Sequence, residues 1–215
     1  MAKYSTLIFD LDGTLTDPGS GIVSSIRSVL ATMNVQSPRP EELKWCVGPP
    51  LREIFARLLE PAGKGELVDQ AAGLYMQHYA AVGAAESTTY KGVTQMLVEL
   101  KPAARLFVVT SKNTATAERI LGMCALRRYF EDVIGNGRLD DKSDMVHELM
   151  DRESVDRTTT AIVGDRMHDI VAGKRNGIFT IGVEYGYGSR DELAAAGADR
   201  ICGSPAEVSQ LLLSS

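Results

Sequence analysis

Residues 7–17 read LIFDLDGTLTD, an apolar run that ends in two aspartates, Asp10 and Asp12, one leucine apart. Two carboxylates so close repel each other, and each is costly to desolvate, so a cation belongs beside them. Other reactive groups stand at the carboxyl ends of later apolar runs. Thr110 and Ser111 follow residues 106–109, Lys142 lies beyond 133–134, and Gly164-Asp165 with Asp169 follow 160–163. In a parallel sheet, ligands gather at those strand ends. Four acids, two hydroxyls and an ammonium would then share one rim. Hard cations such as Mg²⁺ bind through a few carboxylates, waters and substrate phosphate, a task that suits Asp10 and Asp165. A lysine and a hydroxyl on the same rim suit the remaining phosphate oxygens.

The elements that must carry these groups follow from periodicity. Short apolar or β-branched runs at 4–9, 106–109, 133–134, 160–163 and 179–183 alternate with helix-period segments at 93–100, 115–121, 143–150, 167–176 and 190–196. That alternation predicts βαβ units and a doubly wound α/β core with a parallel sheet. Gly177 and Gly197 stand where helix-ending glycines belong. Between about 21 and 82 the strand pattern stops and helical faces follow one another: Ile22, Val23, Ile26, Val29 and Leu30, then Leu51, Ile54, Phe55, Leu58 and Leu59. The expected organisation is a core of residues 1–16 and 88–215, interrupted by a small helical-bundle cap at 17–87. The connecting hinges are expected at 14–18 and 86–90.

Composition narrows the function classes. The chain has 215 residues, a formal charge of −5 and no Lys/Arg run, which argues against a nucleic-acid polymer as partner. No segment has the ~20 apolar residues of a membrane helix, and residues 1–10 lack a secretory pattern. Cys46, Cys124 and Cys202 form no C-x-x-C pair, and an odd count leaves one unpaired in any disulfide scheme. The expectation is a reducing, cytoplasmic setting with no membrane partner; the sequence assigns no oligomeric state.

The ordered set D-x-D-G-T-L-T-D, V-V-T-S-K, a lone lysine and I-V-G-D-x-x-x-D resembles the haloacid dehalogenase-like phosphatases. The helical insertion after the first motif is similar to the phosphoglycolate phosphatase-like branch, and the stretch at 48–51, G-P-P-L, resembles the turn of capped phosphatases rather than the loop of a sugar-phosphate mutase. The resemblance implies a Mg²⁺-dependent phosphomonoester hydrolase for a small phosphorylated metabolite. Asp10 would be the nucleophile that becomes an aspartyl phosphate. Asp12 would protonate the leaving oxygen and then activate water, and its main-chain carbonyl would join Asp10 and Asp165 on the metal. Thr110, Ser111 and Lys142 would hold the phosphoryl group, the amide of Leu11 would donate to it, and Gly13 and Asp169 would support the site. The cap would close over substrate, with Arg52 as a possible contact. The substrate implied first is phosphoglycolate, with a nucleoside monophosphate as the alternative and a sugar phosphate behind them. Intact Asp12 disfavours dehalogenase and phosphonatase chemistry.

Plainer roles compete for several of these residues. Thr110-Ser111 could cap a helix starting near Thr114. Asp169 could be an ordinary first-turn acid, with Arg166 and His168 on the surface. Either Asp140 or Asp141 could orient Lys142. Tyr185, Tyr187 and Arg190, in YGYGSR, could line the site rim or simply connect a strand to a helix, and the connector reading is favoured.

Overall fold

The computed structural model describes residues 3–47, 50–136 and 141–214. Asp140, and Gly48 and Pro49 of the cap turn, lie outside the described residues. The strands are β1 (Thr6–Phe9), β2 (Thr16–Asp17), β3 (Thr88–Thr89), β4 (Arg105–Asn113), β5 (Asp132–Asn136), β6 (Thr160–Gly164), β7 (Phe179–Val183) and β8 (Arg200–Cys202). The α-helices are α1 (Gly19–Thr32), α2 (Leu51–Leu59), α3 (Val68–Ala81), α4 (Val93–Leu100), α5 (Thr114–Met123), α6 (Lys142–Glu153), α7 (Met167–Asn176), α8 (Arg190–Ala195) and α9 (Pro205–Leu213).

Six strands form one parallel sheet in the order β5-β4-β1-β6-β7-β8. Leu7, Ile8 and Phe9 of β1 are all buried, as are Leu106, Phe107, Val108 and Val109 of β4 and Ala161, Ile162 and Val163 of β6. Strands apolar on both faces require cover on both faces, which is the doubly wound α/β arrangement. One core cluster shows the packing: Ile8, Phe107 and Ile162 from the sheet meet Met145, Val146 and Leu149 of α6 and Ala172 of α7.

The chain divides into two compact units, Met1–Asp17 with Thr88–Ser215, and Pro18–Ser87. The second unit is helical. Gly21 of α1 and Gly83 approach so closely that a Cβ on Gly21 would stand 1.9 Å from the Gly83 carbonyl oxygen. Phe55 of α2 packs edge-on to Tyr75 of α3, which stacks on Tyr79.

Three features add to the sequence reading. The two segments expected to act as hinges pair with each other as the antiparallel ribbon β2–β3, Thr16 opposite Thr89 and Asp17 opposite Thr88. Two extended segments side by side satisfy each other's backbone groups better than either would alone. Beyond Gly197, β8 extends the sheet and α9 follows, begun by the Ser204 side chain accepting from Glu207 N–H with Pro205 at the first position. Finally, β4 runs past Val109 to Asn113, with a break in register between Thr110 and Asn113.

Candidate active site

Strands β1 and β6 are neighbours in register, Phe9 opposite Val163, and the strand order reverses between them. A crevice outside the carboxyl ends forms at such a point. Asp10 leaves β1 there, with its N–H donating to the Val163 carbonyl at 2.9 Å, and Asp165 leaves β6 beside it. Close approach of the two loops demands glycine. Gly13 has φ +85°, and a Cβ on it would stand 2.1 Å from Asp165 Oδ2. A Cβ on Gly164 would meet the Asp169 carboxyl carbon at 2.1 Å. The Thr14 hydroxyl donates to Asp165 Oδ1 at 3.3 Å.

Lys142 opens α6 and is buried. Its ammonium donates to Asp10 Oδ1 at 2.7 Å and to Asp169 Oδ1 at 2.5 Å. Asp141 does not orient it: that carboxylate caps α6 by accepting from Ser143 N–H at 2.7 Å and pairs with Arg175. Among the described residues, the acids that hold Lys142 are Asp10 and Asp169, and Asp169 Oδ2 also accepts from Arg166 N–H at 3.0 Å. Asp169 is therefore more than a first-turn acid, and it reaches Lys142 because α6 and α7 pack side by side. His168 is exposed on the first turn of α7.

Burial governs the electrostatics. The Asp10 carboxyl is pushed up to about 7 by desolvation, with Lys142 pulling it down and Asp169 and Asp165 adding to the rise. Asp165 is pushed up to about 6, again by burial first and then by Asp169, against the Tyr187 N–H and Lys142. Burial pulls the Lys142 ammonium down, but the Asp10 and Asp169 carboxylates outweigh it and hold its pKa above the ordinary lysine value. One ammonium thus faces three buried carboxylates.

On the neighbouring strand, Phe9 lies opposite Val108, which carries Thr110 just beyond the level of Asp10. Thr110 is buried and Ser111 exposed. Neither caps the next helix: the Asn113 side chain does so, accepting from Ala115 N–H at 3.0 Å. Thr110 Oγ1 instead accepts from Lys112 N–H at 3.2 Å. Arg52 belongs to the helical unit, where it pairs with Asp69 at 3.0 Å, both side chains being exposed.

Two further groups reach into the site, of which Lys112 has no role in the sequence-based reading. Lys112 Nζ lies 2.7 Å from Asp12 Oδ2. The loop after β7 is also more than a connector. Tyr187 N–H donates to Asp165 Oδ2 at 2.9 Å, the Tyr187 hydroxyl donates to the Asp17 carboxylate, and the Tyr185 hydroxyl donates to the Thr14 carbonyl at 3.1 Å. A Cβ on Gly186 would stand 2.2 Å from the Gly13 carbonyl oxygen. The alternation Y-G-Y-G was the available signal: glycines at every second position mark a backbone that must come close to something. Arg190, by contrast, pairs with Glu184 at 3.1 Å in its own loop.

Asp10, Asp165 and Asp169 each offer an oxygen such that the three lie within 4.8 Å of one another, all buried. An all-oxygen set with excess negative charge, and with two members pushed well above the carboxylate range, fits a hard divalent cation. Asp169 has the Lys142 ammonium on one oxygen and Arg166 N–H on the other, and Asp165 has the Thr14 hydroxyl and Tyr187 N–H, whereas Asp10 has a donor on Oδ1 alone among the described residues.

Residues 7–183 match the family model described as haloacid dehalogenase-like hydrolase. The chain belongs to the haloacid dehalogenase-like hydrolases. A 5'-nucleotidase of Pseudomonas aeruginosa is 34% identical over 98% of this chain and 96% of its own length. A phosphoglycolate phosphatase of Caulobacter vibrioides is 30% identical over 92% of this chain and 86% of its own. The tyrosine-protein kinase PtkA of Mycobacterium tuberculosis is 36% identical over 86% of this chain, which spans only 64% of that protein. Among solved structures, a haloacid dehalogenase-like family hydrolase from Streptococcus pneumoniae superposes with a TM-score of 0.86 at 26% identity, covering 98% of this chain and 99% of the other. This haloacid dehalogenase-like hydrolase is a phosphatase, and relatives of that kind imply small phosphorylated substrates. Among its described residues, no helix is long and apolar enough to cross a membrane.

Proposed function

We propose that the protein is a Mg²⁺-dependent phosphomonoesterase that works through an aspartyl phosphate on Asp10, with a nucleoside monophosphate as the favoured substrate class. The observation that carries the chemistry is the buried contact of Lys142 with both Asp10 and Asp169, beside Asp165. Lys142 occupies Asp10 Oδ1, and among the described residues no hydrogen bond engages Oδ2, the oxygen then free to attack phosphorus. As the O–P bond to the leaving group breaks, its electron pair stays on the leaving oxygen, which takes a proton from Asp12. Asp12 then accepts a proton from water as that water attacks the phosphoryl group, releasing Asp10 and inorganic phosphate. Lys142 and the Thr110 hydroxyl would hold phosphoryl oxygens, and Asp169 would keep Lys142 in place. Mg²⁺, held by Asp10, Asp165 and the Asp12 main-chain carbonyl, would supply neutralisation of the clustered charge. Tyr187 N–H and the Thr14 hydroxyl fix the Asp165 carboxylate for that task.

The likeness to a 5'-nucleotidase along nearly the full length of both chains favours a nucleoside monophosphate over phosphoglycolate. A panel of both, with a sugar phosphate and pyrophosphate, ranked by kcat/KM with and without chelator, tests the reading. A nucleoside monophosphate is expected to lead, and the chelator to abolish turnover. Full activity in chelator would refute the metal, and phosphoglycolate leading would refute the nucleotide assignment.

A further inference from the structure

Among the described residues Lys112 is a second cation at the crevice, and the fold is arranged to bring it there. It lies in the part of β4 where the register with β5 breaks between Thr110 and Asn113. The strand can shift at that point because residue 135 is glycine: a Cβ there would stand 2.3 Å from the Lys112 carbonyl oxygen and 2.5 Å from Thr114 N. The Lys112 N–H is tied to Thr110 Oγ1, so one residue touches the phosphate-binding threonine through its backbone and Asp12 through its side chain. The ion pair with Asp12 Oδ2, at 2.7 Å, is largely shielded, with the lysine side chain 14% and the aspartate side chain 30% exposed. The other oxygen, Asp12 Oδ1, is buried and has no hydrogen-bond partner among the described residues.

We propose that Lys112 is a positioning residue that sorts the two oxygens of Asp12. An ammonium has donors and no acceptor, so a proton on Oδ2 would face another donor. Oδ2 is therefore held as an acceptor, and Oδ1 is left as the oxygen that passes a proton to and from the reacting groups, in an orientation the ion pair fixes. This rests on the reading of Asp12 as the acid and base. When the substrate's O–P bond breaks, the proton on Oδ1 goes to the leaving oxygen with its new electron pair. In the second half Oδ1 takes a proton from the attacking water. A buried polar atom without a partner is costly in a resting protein; here it is the atom that the substrate's leaving oxygen would satisfy.

The test compares leaving groups, because an alkoxide needs protonation as it departs whereas p-nitrophenolate leaves readily as the anion. The quantity is kcat/KM, which reports events up to formation of the phosphoryl-enzyme. Lys112→Met is expected to lower kcat/KM for a nucleoside 5'-monophosphate by about 10- to 100-fold, part of the ~10²–10⁴ attached to general acid–base catalysis, and for p-nitrophenyl phosphate by less than about threefold. Lys112→Arg keeps a donor and is expected to restore the alkyl ester to within roughly tenfold of the parent, even if Lys112→Met should fold poorly. In an Asp12→Asn background, Lys112→Met should add less than about twofold, since a residue acting through Asp12 has nothing left to act on. Equal losses on both esters, or losses that multiply with Asp12→Asn, would make Lys112 a phosphate contact and overturn the proposal. Asp12→Asn alone is the check on the underlying reading: if it slows both esters equally, the acid role of Asp12 fails, and the role of Lys112 fails with it.

Discussion

The charge imbalance at the crevice makes metal binding strongly dependent on pH. Without metal, Asp10 titrates at about 7 and Asp165 at about 6, because burial and mutual repulsion favour their neutral forms. A divalent cation needs both ionised, so binding must displace whatever protons they hold. At pH 8 both are largely ionised. At pH 5, two units below the first value and one below the second, about one Asp10 in 100 and about one Asp165 in 10 remains charged, so Mg²⁺ affinity should fall by about 10³ between pH 8 and 5. The sign for stability follows the same logic. These carboxyls have folded pKa values above their unfolded ones, so they favour the metal-free fold below the ordinary carboxylate range, and that contribution is lost as pH rises through about 6 and 7. The increase in Tm on adding Mg²⁺ should therefore grow steadily from pH 5 to 8. Calorimetric titration at four pH values, with Tm measured alongside, gives both slopes. A flat affinity over that range, or a Tm shift that shrinks as pH rises, would refute the electrostatic account of the site.

Other substitutions separate the roles within the crevice. Asp10→Asn should abolish turnover on every ester while leaving the circular dichroism spectrum unchanged; near-normal activity would remove the nucleophile assignment. Gly13→Ala places a non-glycine residue at φ +85° and a Cβ 2.1 Å from Asp165 Oδ2, so a loss of about 1–2 kcal/mol from backbone conformation, with further loss from the clash, should appear in denaturant titration together with weakened Mg²⁺ binding. Lys142→Met strips the buried acids of their shared cation and should cost about 3–5 kcal/mol at pH 8, measured by the same titration without metal. A smaller cost at pH 5, where Asp10 is neutral, would follow from the same argument.

The sequence made some parts of this architecture legible because they are local. The buried strands around Ile8, Val108 and Ile162 announce themselves as apolar runs. Asp10 and Asp165 follow directly from standing at the ends of two of them. What escaped depends on contacts between distant positions or on elements too short to show a period. The two-residue strands Thr16–Asp17 and Thr88–Thr89 and the three-residue strand Arg200–Cys202 cannot display alternation. Asp169 as the partner of Lys142, Lys112 as the partner of Asp12, and Tyr187 as the support of Asp165 each require two elements to be brought together by the fold. Helix α9 is a different case, since Ser204-Pro205 with Glu207 is a start signal written in the sequence itself.

The central claim, a phosphoryl group carried on Asp10, is tested most directly by stopping the reaction with acid in the first turnover and reducing the protein with borohydride, which converts an aspartyl phosphate to homoserine. Peptide mass spectrometry should then find homoserine at position 10, only when both substrate and Mg²⁺ were present. An unchanged aspartate at position 10, or homoserine at another aspartate, would contradict it.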